Sequence, residues 1–284
     1  KCINVDCIIV DDYRLNSKWE KVFYKNYSLV IFDDNNTYQH VCDLIIDSKW
    51  TGKSTHLRYK KLCNNNALRL CGPNFSIVRK MKKNKKKTKL FNIMFYLGGS
   101  GRLKKYLNFL KHLNKMLDNS NVSKIFVICG PIAFNSYKII DNLKKLKNIQ
   151  IIENNYNLSE ILDKTKLFVG VSSSILYELN YRNILSVLFS DNKNQKNSIS
   201  NLNDLGFNFL IQKKDLINDF KKTFLFIKLL IKNINRYKFK NFKKVNVDGL
   251  GLKRISDAIF AIVDKKKHNI KSKISYKNIE LSKI

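Results

Sequence analysis

Proline is nearly absent from this chain, with two in 284 residues, and glycine is sparse at ten. That excludes collagen-like and low-complexity classes. Acidic residues are scarce as well: 22 Asp and Glu face 54 Lys and Arg, a net charge of +32. The six cysteines, Cys2, Cys7, Cys42, Cys63, Cys71 and Cys129, form no CxxC pair, and no histidine stands at zinc spacing from two of them. No metal site is therefore expected. No apolar run reaches the ~18–20 residues of a membrane span. The most apolar segment, Phe224 to Ile231, is broken by Lys228. HExxH and GxSxG are missing. Gly52-Lys53-Ser54 resembles the end of a P-loop, but Asp47 stands where the loop needs its first glycine.

What is present describes a folded chain. Its 44% hydrophobic and 12% aromatic content excludes disorder. Its length fits about two domains of ~100–200 residues each. The charge is carried by Lys, beside abundant Asn and Ile, with little Arg. This is the composition that an AT-rich coding sequence imposes. A nucleic-acid reader favours Arg for its bidentate fork. No specific nucleic-acid partner is expected, and the charge leaves room for a weak peripheral membrane contact. Asn-x-Ser/Thr triplets such as Asn35 to Thr37 are chance products of an Asn-rich chain. Cysteines set in apolar runs, with no leader-peptide pattern, point to a reducing cytoplasm. The chain opens on Lys1 and runs at once into a strand pattern, which suggests a piece of a longer reading frame.

The order of apolar runs predicts an α/β fold. Cys7 to Val10, Leu29 to Phe32 and Leu44 to Ile46 are short continuous runs, as in a parallel sheet buried on both faces. Each ends in aspartate: Asp11 and Asp12, Asp33 and Asp34, and Asp47. Paired carboxylates can serve glycoside chemistry, but strand-end capping is the plainer role. Trp19, Val22 and Phe23 predict one apolar helix face. His40 and Cys42 share a side of one strand, with no further ligand near in sequence. Residues 1–80 read as a partial N-terminal Rossmann-like domain, and the Lys-rich 81–90 as a linker. Residues 91–262 read as a nucleotide-binding Rossmann-like domain, and 263–284 as a basic tail that frays.

In the second domain, strands at Phe91 to Leu97, Ile125 to Ile128, Ile149 to Ile152, Leu167 to Val171, Ile184 to Phe189 and Phe207 to Ile211 alternate with helices. The helices start near Leu103, Tyr137, Leu158 and Tyr177, and one long helix is predicted from Lys214 to about Tyr237. Three strand ends carry candidate ligands. Gly98-Gly99-Ser100-Gly101 lets a backbone approach an anion, with helix N–H groups behind it. Alternatively, it is a plain tight turn. Ser172-Ser173-Ser174 with Glu178 offers hydroxyls and a carboxylate that can accept both ribose hydroxyls. A serine N-cap with a dipole-complementing Glu is the bland reading. Asn194-Gln195 offers side-chain amides to a sugar. All three converge where open α/β sheets bind ligands.

Taken in order, several stretches resemble one family. They are Ile8 to Tyr13 (IIVDDY), Phe32 to Asp34 before His40 to Asp47 (HVCDLIID), Cys71-Gly72-Pro73 with Arg79, Gly98-Gly99-Ser100, Ser172 to Glu178, Asn194-Gln195 and Val247 to Ile255. The family is the UDP-sugar hydrolases of pseudaminic acid biosynthesis, and the stretches cover most of the chain. The resemblance implies a glycosyltransferase-B-type fold of two Rossmann-like domains around a cleft, with the first domain incomplete. It implies hydrolysis of UDP-2,4-diacetamido-2,4,6-trideoxy-β-L-altropyranose at the anomeric C–O bond, with inversion and with no metal or cofactor. Gly99 and Ser100 would meet the diphosphate and Glu178 the nucleoside, with Gly98, Ser173 and Ser174 also binding nucleotide or substrate. Asn194 and Gln195 would lie on the sugar side, and Tyr13 would face the sugar from the first domain, with Tyr13 and Asn194 in catalytic roles. The family's opening Gly-rich loop and water-activating His have no match here, as though about 60 residues and two β-α units were missing. A glycosyltransferase of the same architecture and a basic module for RNA or acidic lipid are the alternatives.

Overall fold

The computed structural model describes residues 5–81, 90–117, 121–135, 137–153, 157–190, 199–206, 208–218, 220–236 and 245–268. It divides into two α/β units, Lys1–Val78 with Val245–Ile284, and Arg79–Lys244.

The first unit is a four-stranded parallel sheet in the order β1 (Cys7–Val10), β2 (Ser28–Phe32), β3 (Leu44–Asp47), β4 (Leu68–Cys71). The apolar runs predicted the first three strands. Side chains alternate across a strand, so each face gathers its own core. Leu29 and Ile31 join Val10, Ile45 and Tyr59 on one face, with Trp19 and Tyr24 of α1 (Ser17–Tyr24) packed against them. Val30 joins Leu44, Ile46, Leu70 and Phe75 on the other. Each such fully buried aliphatic contributes about 1.5–3 kcal/mol.

The expected apolar face of α1 is corrected in one respect. Val22 is exposed, and Glu20 turns inward with no exposure at all. Glu20 is tolerated there because His40 and a backbone N–H meet its carboxylate.

What covers the second face was not foreseen. The second domain was expected to run to residue 262, but it ends at Lys244. Helix α8 (Gly251–His268) instead packs Ile255 and Ala258 onto Val30, Leu44 and Ile46. The Val247 to Ile255 motif explains how. Arg254 grips Asp248 and donates to the Asn74 carbonyl at 2.9 Å. Gly251 lies so close to the chain that a Cβ there would fall 2.2 Å from the Ser76 carbonyl oxygen. At the other end Lys266 donates to the carbonyls of Tyr24 and Tyr27 and to Asp43, tying α8 to the end of α1. Residues 269–284, expected to fray, lie outside the described residues, as do 82–89 of the expected linker.

The second unit is a six-stranded parallel sheet, built from β5 (Phe91–Tyr96), β6 (Val122–Ile128), β7 (Ile149–Ile152), β8 (Thr165–Val171), β9 (Leu185–Phe189) and β10 (Asn208–Leu210). Its order is β10-β9-β8-β5-β6-β7. The connecting helices are α2 (Leu107–Met116), α3 (Tyr137–Lys144), α4 (Ser159–Lys164) and α5 (Ile175–Arg182). The single long helix predicted from Lys214 is two helices, α6 (Lys213–Ile217) and α7 (Phe220–Asn233), followed by a 3-10 turn. One face of the sheet together with α2, α3, α6 and α7 encloses a core of Ile93, Phe95, Tyr106, Phe109, Leu110, Val127, Val169, Val187 and Phe189.

Candidate functional site

The strand order of the second unit reverses between β5 and β8, which pair in parallel from Asn92 with Thr165 to Tyr96 with Gly170. Chains leaving two such strands turn in opposite directions and open a crevice at their C-terminal ends. Gly98 to Gly101 leaves β5 at this point, and Ser172 to Ser174 leaves β8. The structure thus brings together two of the three expected loops, with Gly98 close to Val171. Asn194 and Gln195, on the third, lie outside the described residues.

The glycine loop is held from below. Gly98 has φ +81°, a left-handed value that favours glycine. Gly130, at the end of β6, packs so tightly that a Cβ there would fall 2.3 and 2.4 Å from the carbonyl oxygens of Gly99 and Gly98. The Ile132 N–H donates to Gly99 O at 3.1 Å, and Asn135 Oδ1 accepts from the Leu103 N–H at 2.8 Å. Gly99 is half-buried and Ser100 is exposed. One expectation is corrected: the loop does not enter a helix directly. A 3-10 turn over Leu103–Tyr106 intervenes, and α2 begins at Leu107, seven residues after Ser100. The anion donors available here are the loop's own N–H groups and the Ser100 hydroxyl.

The serine loop does not follow the capping reading. Ser174 precedes α5 in αR geometry, and its side chain makes no capping bond. Backbone bonds to the carbonyls of Ser173 and Ser174 close the first turn instead. Ser172 is buried, Ser173 is half-buried and Ser174 is exposed.

Glu178 sits in a network that sequence reading missed. Its Oε1 accepts from the Arg79 N–H at 3.0 Å, and its Oε2 accepts from Arg182 Nη1. The Arg182 side chain is fully buried. It also donates to Asp163 Oδ1 at 3.1 Å, Ser159 Oγ at 2.8 Å and Arg79 O at 3.0 Å. A carboxylate offers about four lone-pair positions. Donors among the described residues occupy two of them, and the side chain is 19% exposed. The i, i+4 spacing of Glu178 and Arg182 was a legible signal for half of this network.

In the first unit Tyr13 follows β1, exposed, and its hydroxyl donates to Asp34 Oδ1 at 2.7 Å. Partial burial and the Asp34 charge push the phenol far above its ordinary value, so it keeps its proton. The neighbouring aspartates are engaged. Asp12 grips Arg14 and caps its N–H. Asp33 accepts from the N–H groups of Asn35 and Asn36 and from Tyr59. Buried Asp47 meets Arg58 Nε at 2.5 Å. The capping role expected of these aspartates fits Asp12, Asp33 and Asp47, whose Oδ1 accepts from the Lys49 N–H at 2.8 Å.

Beneath that rim is a buried ionic cluster that the sequence did not announce. His40 Nδ1 lies 2.7 Å from Glu20 Oε1, and its Nε2 lies 3.4 Å from Asp33 Oδ2. The second contact is an ion pair without hydrogen-bond alignment. Burial alone would pull the imidazole pKa down. Attraction to the Asp33 carboxylate and the hydrogen bond with Glu20 outweigh it and hold the group at about 9. Burial likewise favours neutral Asp33, but His40, Tyr59 and two N–H groups hold it at about 2. Among the described residues no cluster of three or more His, Cys, Asp or Glu is arranged for a metal ion.

No family model matches the chain, and no curated protein matches it. Solved structures do. MurG of Acinetobacter baumannii is 12% identical with a TM-score of 0.51, over 89% of this chain and 69% of that one. A putative UDP-N-acetylglucosamine 2-epimerase of Listeria monocytogenes is 11% identical with a TM-score of 0.56, over 94% of this chain and 76% of that one. With its two parallel-sheet α/β units, the chain has a glycosyltransferase-B-like fold.

Proposed function

We propose that the chain is a nucleotide-sugar-processing enzyme that binds UDP at the β5/β8 rim. In this reading it hydrolyses a UDP-linked diacetamido-trideoxy sugar, releasing UDP and the free sugar for pseudaminic (nonulosonic) acid biosynthesis. One observation carries the UDP site. A glycine loop and a serine loop leave the switch point of one sheet, and a partly exposed carboxylate stands one turn into the following helix. The loops suit a diphosphate, and Glu178 suits a vicinal diol. One fold relative is named for a UDP-sugar. The sequence resemblance carries the choice of hydrolysis and of sugar.

The chemistry divides accordingly. UDP is a good leaving group once its charge is met by N–H and hydroxyl donors, so the loops serve both binding and departure. Water attack at the anomeric carbon needs a proton acceptor, worth ~10²–10⁴-fold in rate. The Tyr13 hydroxyl keeps its proton in a hydrogen bond to Asp34, so Tyr13 does not act as the base. Asn194 and Gln195 would hold the sugar. A cytoplasmic location goes with this reading, since Cys7, Cys42, Cys63, Cys71 and Cys129 are free thiols.

A glycosyltransferase would share the donor site, so the test omits any acceptor. Equal amounts of UDP and free reducing sugar from the UDP-sugar in buffer support hydrolysis. Turnover that begins only when a sugar or lipid acceptor is added would make the chain a transferase.

A further inference from the structure

Helix α7 (Phe220–Asn233) turns Thr223, Ile227, Leu230 and Ile231 into the core of the second unit. Phe226 meets Phe209 edge-on at 5.1 Å. The opposite face is unusual. Leu225 and Leu229, one turn apart, are 60% and 59% exposed. Lys221, Lys222, Lys228 and Lys232 are exposed beside them. At 100° per residue these six side chains fall within an arc of roughly 120°. Residues 220–236 contain no Asp or Glu.

Lysine alone would mean little, because lysine coats this protein. The outer face of α2 carries Lys111, His112 and Lys115 with no exposed large apolar residue between them. Helix α8 exposes Leu252 and Phe260, but Asp257 and Asp264 share that helix. Among these helices α7 alone sets an apolar pair in a purely cationic frame. A basic helix with an apolar strip is suited to lie in the plane of an anionic membrane surface.

We propose that the outer face of α7 is a membrane-surface contact, with Leu225 and Leu229 in the headgroup boundary and the four lysines against lipid phosphate. Charge complementarity selects an anionic bilayer over a neutral one. The leucines select lipid over RNA, since a phosphodiester backbone gives them nothing to bury against. Two leucines are also far short of the ~1,200–2,000 Å² that a stable protein interface buries. No described helix is long and apolar enough to cross a membrane, so the contact is peripheral.

The test is co-sedimentation of the full chain with phosphatidylcholine vesicles, with and without phosphatidylglycerol, alongside binding to a single-stranded RNA. The wild type should prefer the phosphatidylglycerol vesicles. Leu225→Gln with Leu229→Gln should weaken that binding at least ten-fold and leave RNA binding unchanged. Each Lys→Gln among the four should cost roughly five-fold. Both leucines are exposed, and an unchanged thermal melt confirms that the variants fold. As a second readout, the emission of Leu225→Trp should shift blue on adding phosphatidylglycerol vesicles. Equal binding to both vesicle types, or a leucine variant that binds like the wild type, overturns the proposal. So does a wild type that binds RNA and no vesicle.

Discussion

Titrating His40 should weaken the first unit across a window set by the buried cluster. The imidazole titrates at about 9 in the folded protein, against an ordinary value of 6.5. A raised folded pKa means that folding favours the protonated form. The stabilisation is fully present below pH 6.5 and drains away as pH rises toward 9. Each pKa unit is worth about 1.4 kcal/mol, so the whole effect is about 3 kcal/mol. That is an upper figure, because Glu20 and Asp33 share the same interaction. The only two tryptophans, Trp19 and Trp50, both lie in the first unit, so their fluorescence reports on it selectively. Urea unfolding followed by tryptophan emission should lose up to about 3 kcal/mol between pH 6 and 9.5 in the wild type. His40→Gln should be weaker throughout and lack that slope. If both proteins show the same pH dependence, another group is responsible and the charged cluster is not what joins α1 to the loop after β2.

Two further substitutions probe the second unit. Arg182→Met strands Glu178 and Asp163, and breaking such a buried pair costs about 3–5 kcal/mol. The urea transition seen by circular dichroism should fall while the tryptophan transition stays in place. Gly130→Ala drives a methyl into the Gly98 and Gly99 carbonyls, so it should lower the melting temperature and weaken UDP binding together. Unchanged UDP affinity in a well-folded Gly130→Ala protein would show that the glycine loop does not touch the nucleotide.

The legible part of the fold follows from local pattern. Continuous apolar runs marked nine of the ten described strands, because most strands of a parallel sheet are covered on both faces. The strand it missed, Leu68–Cys71, carries Arg69 in its middle and breaks that pattern. Helix α8 was assigned to the wrong unit for a similar reason. Sequence neighbours give no sign that Ile255 and Ala258 pack on Val30 and Leu44, some 200 residues earlier. In the candidate site, glycine and serine loops at strand ends were readable from composition. Glu178 was singled out, but its partner at Arg79 lies 99 residues away and could not be seen. His40 and Glu20 were invisible together for the same reason: each is ordinary alone, and folding places them 2.7 Å apart.

The central claim is that Glu178 and the two rim loops form a UDP site. Calorimetric titration of UDP into the wild type and into Glu178→Ala tests it most directly, with 2′-deoxy-UDP as the probe of the diol. The wild type should bind UDP and prefer it to the deoxy ligand. Glu178→Ala should bind UDP more than about ten-fold more weakly and lose that preference, since a charge-assisted bond to one hydroxyl is worth about 1.5–3 kcal/mol. A folded Glu178→Ala protein with wild-type UDP affinity, or a wild type indifferent to the 2′-hydroxyl, would contradict the claim and leave Glu178 as an anchor for Arg79 and Arg182 alone.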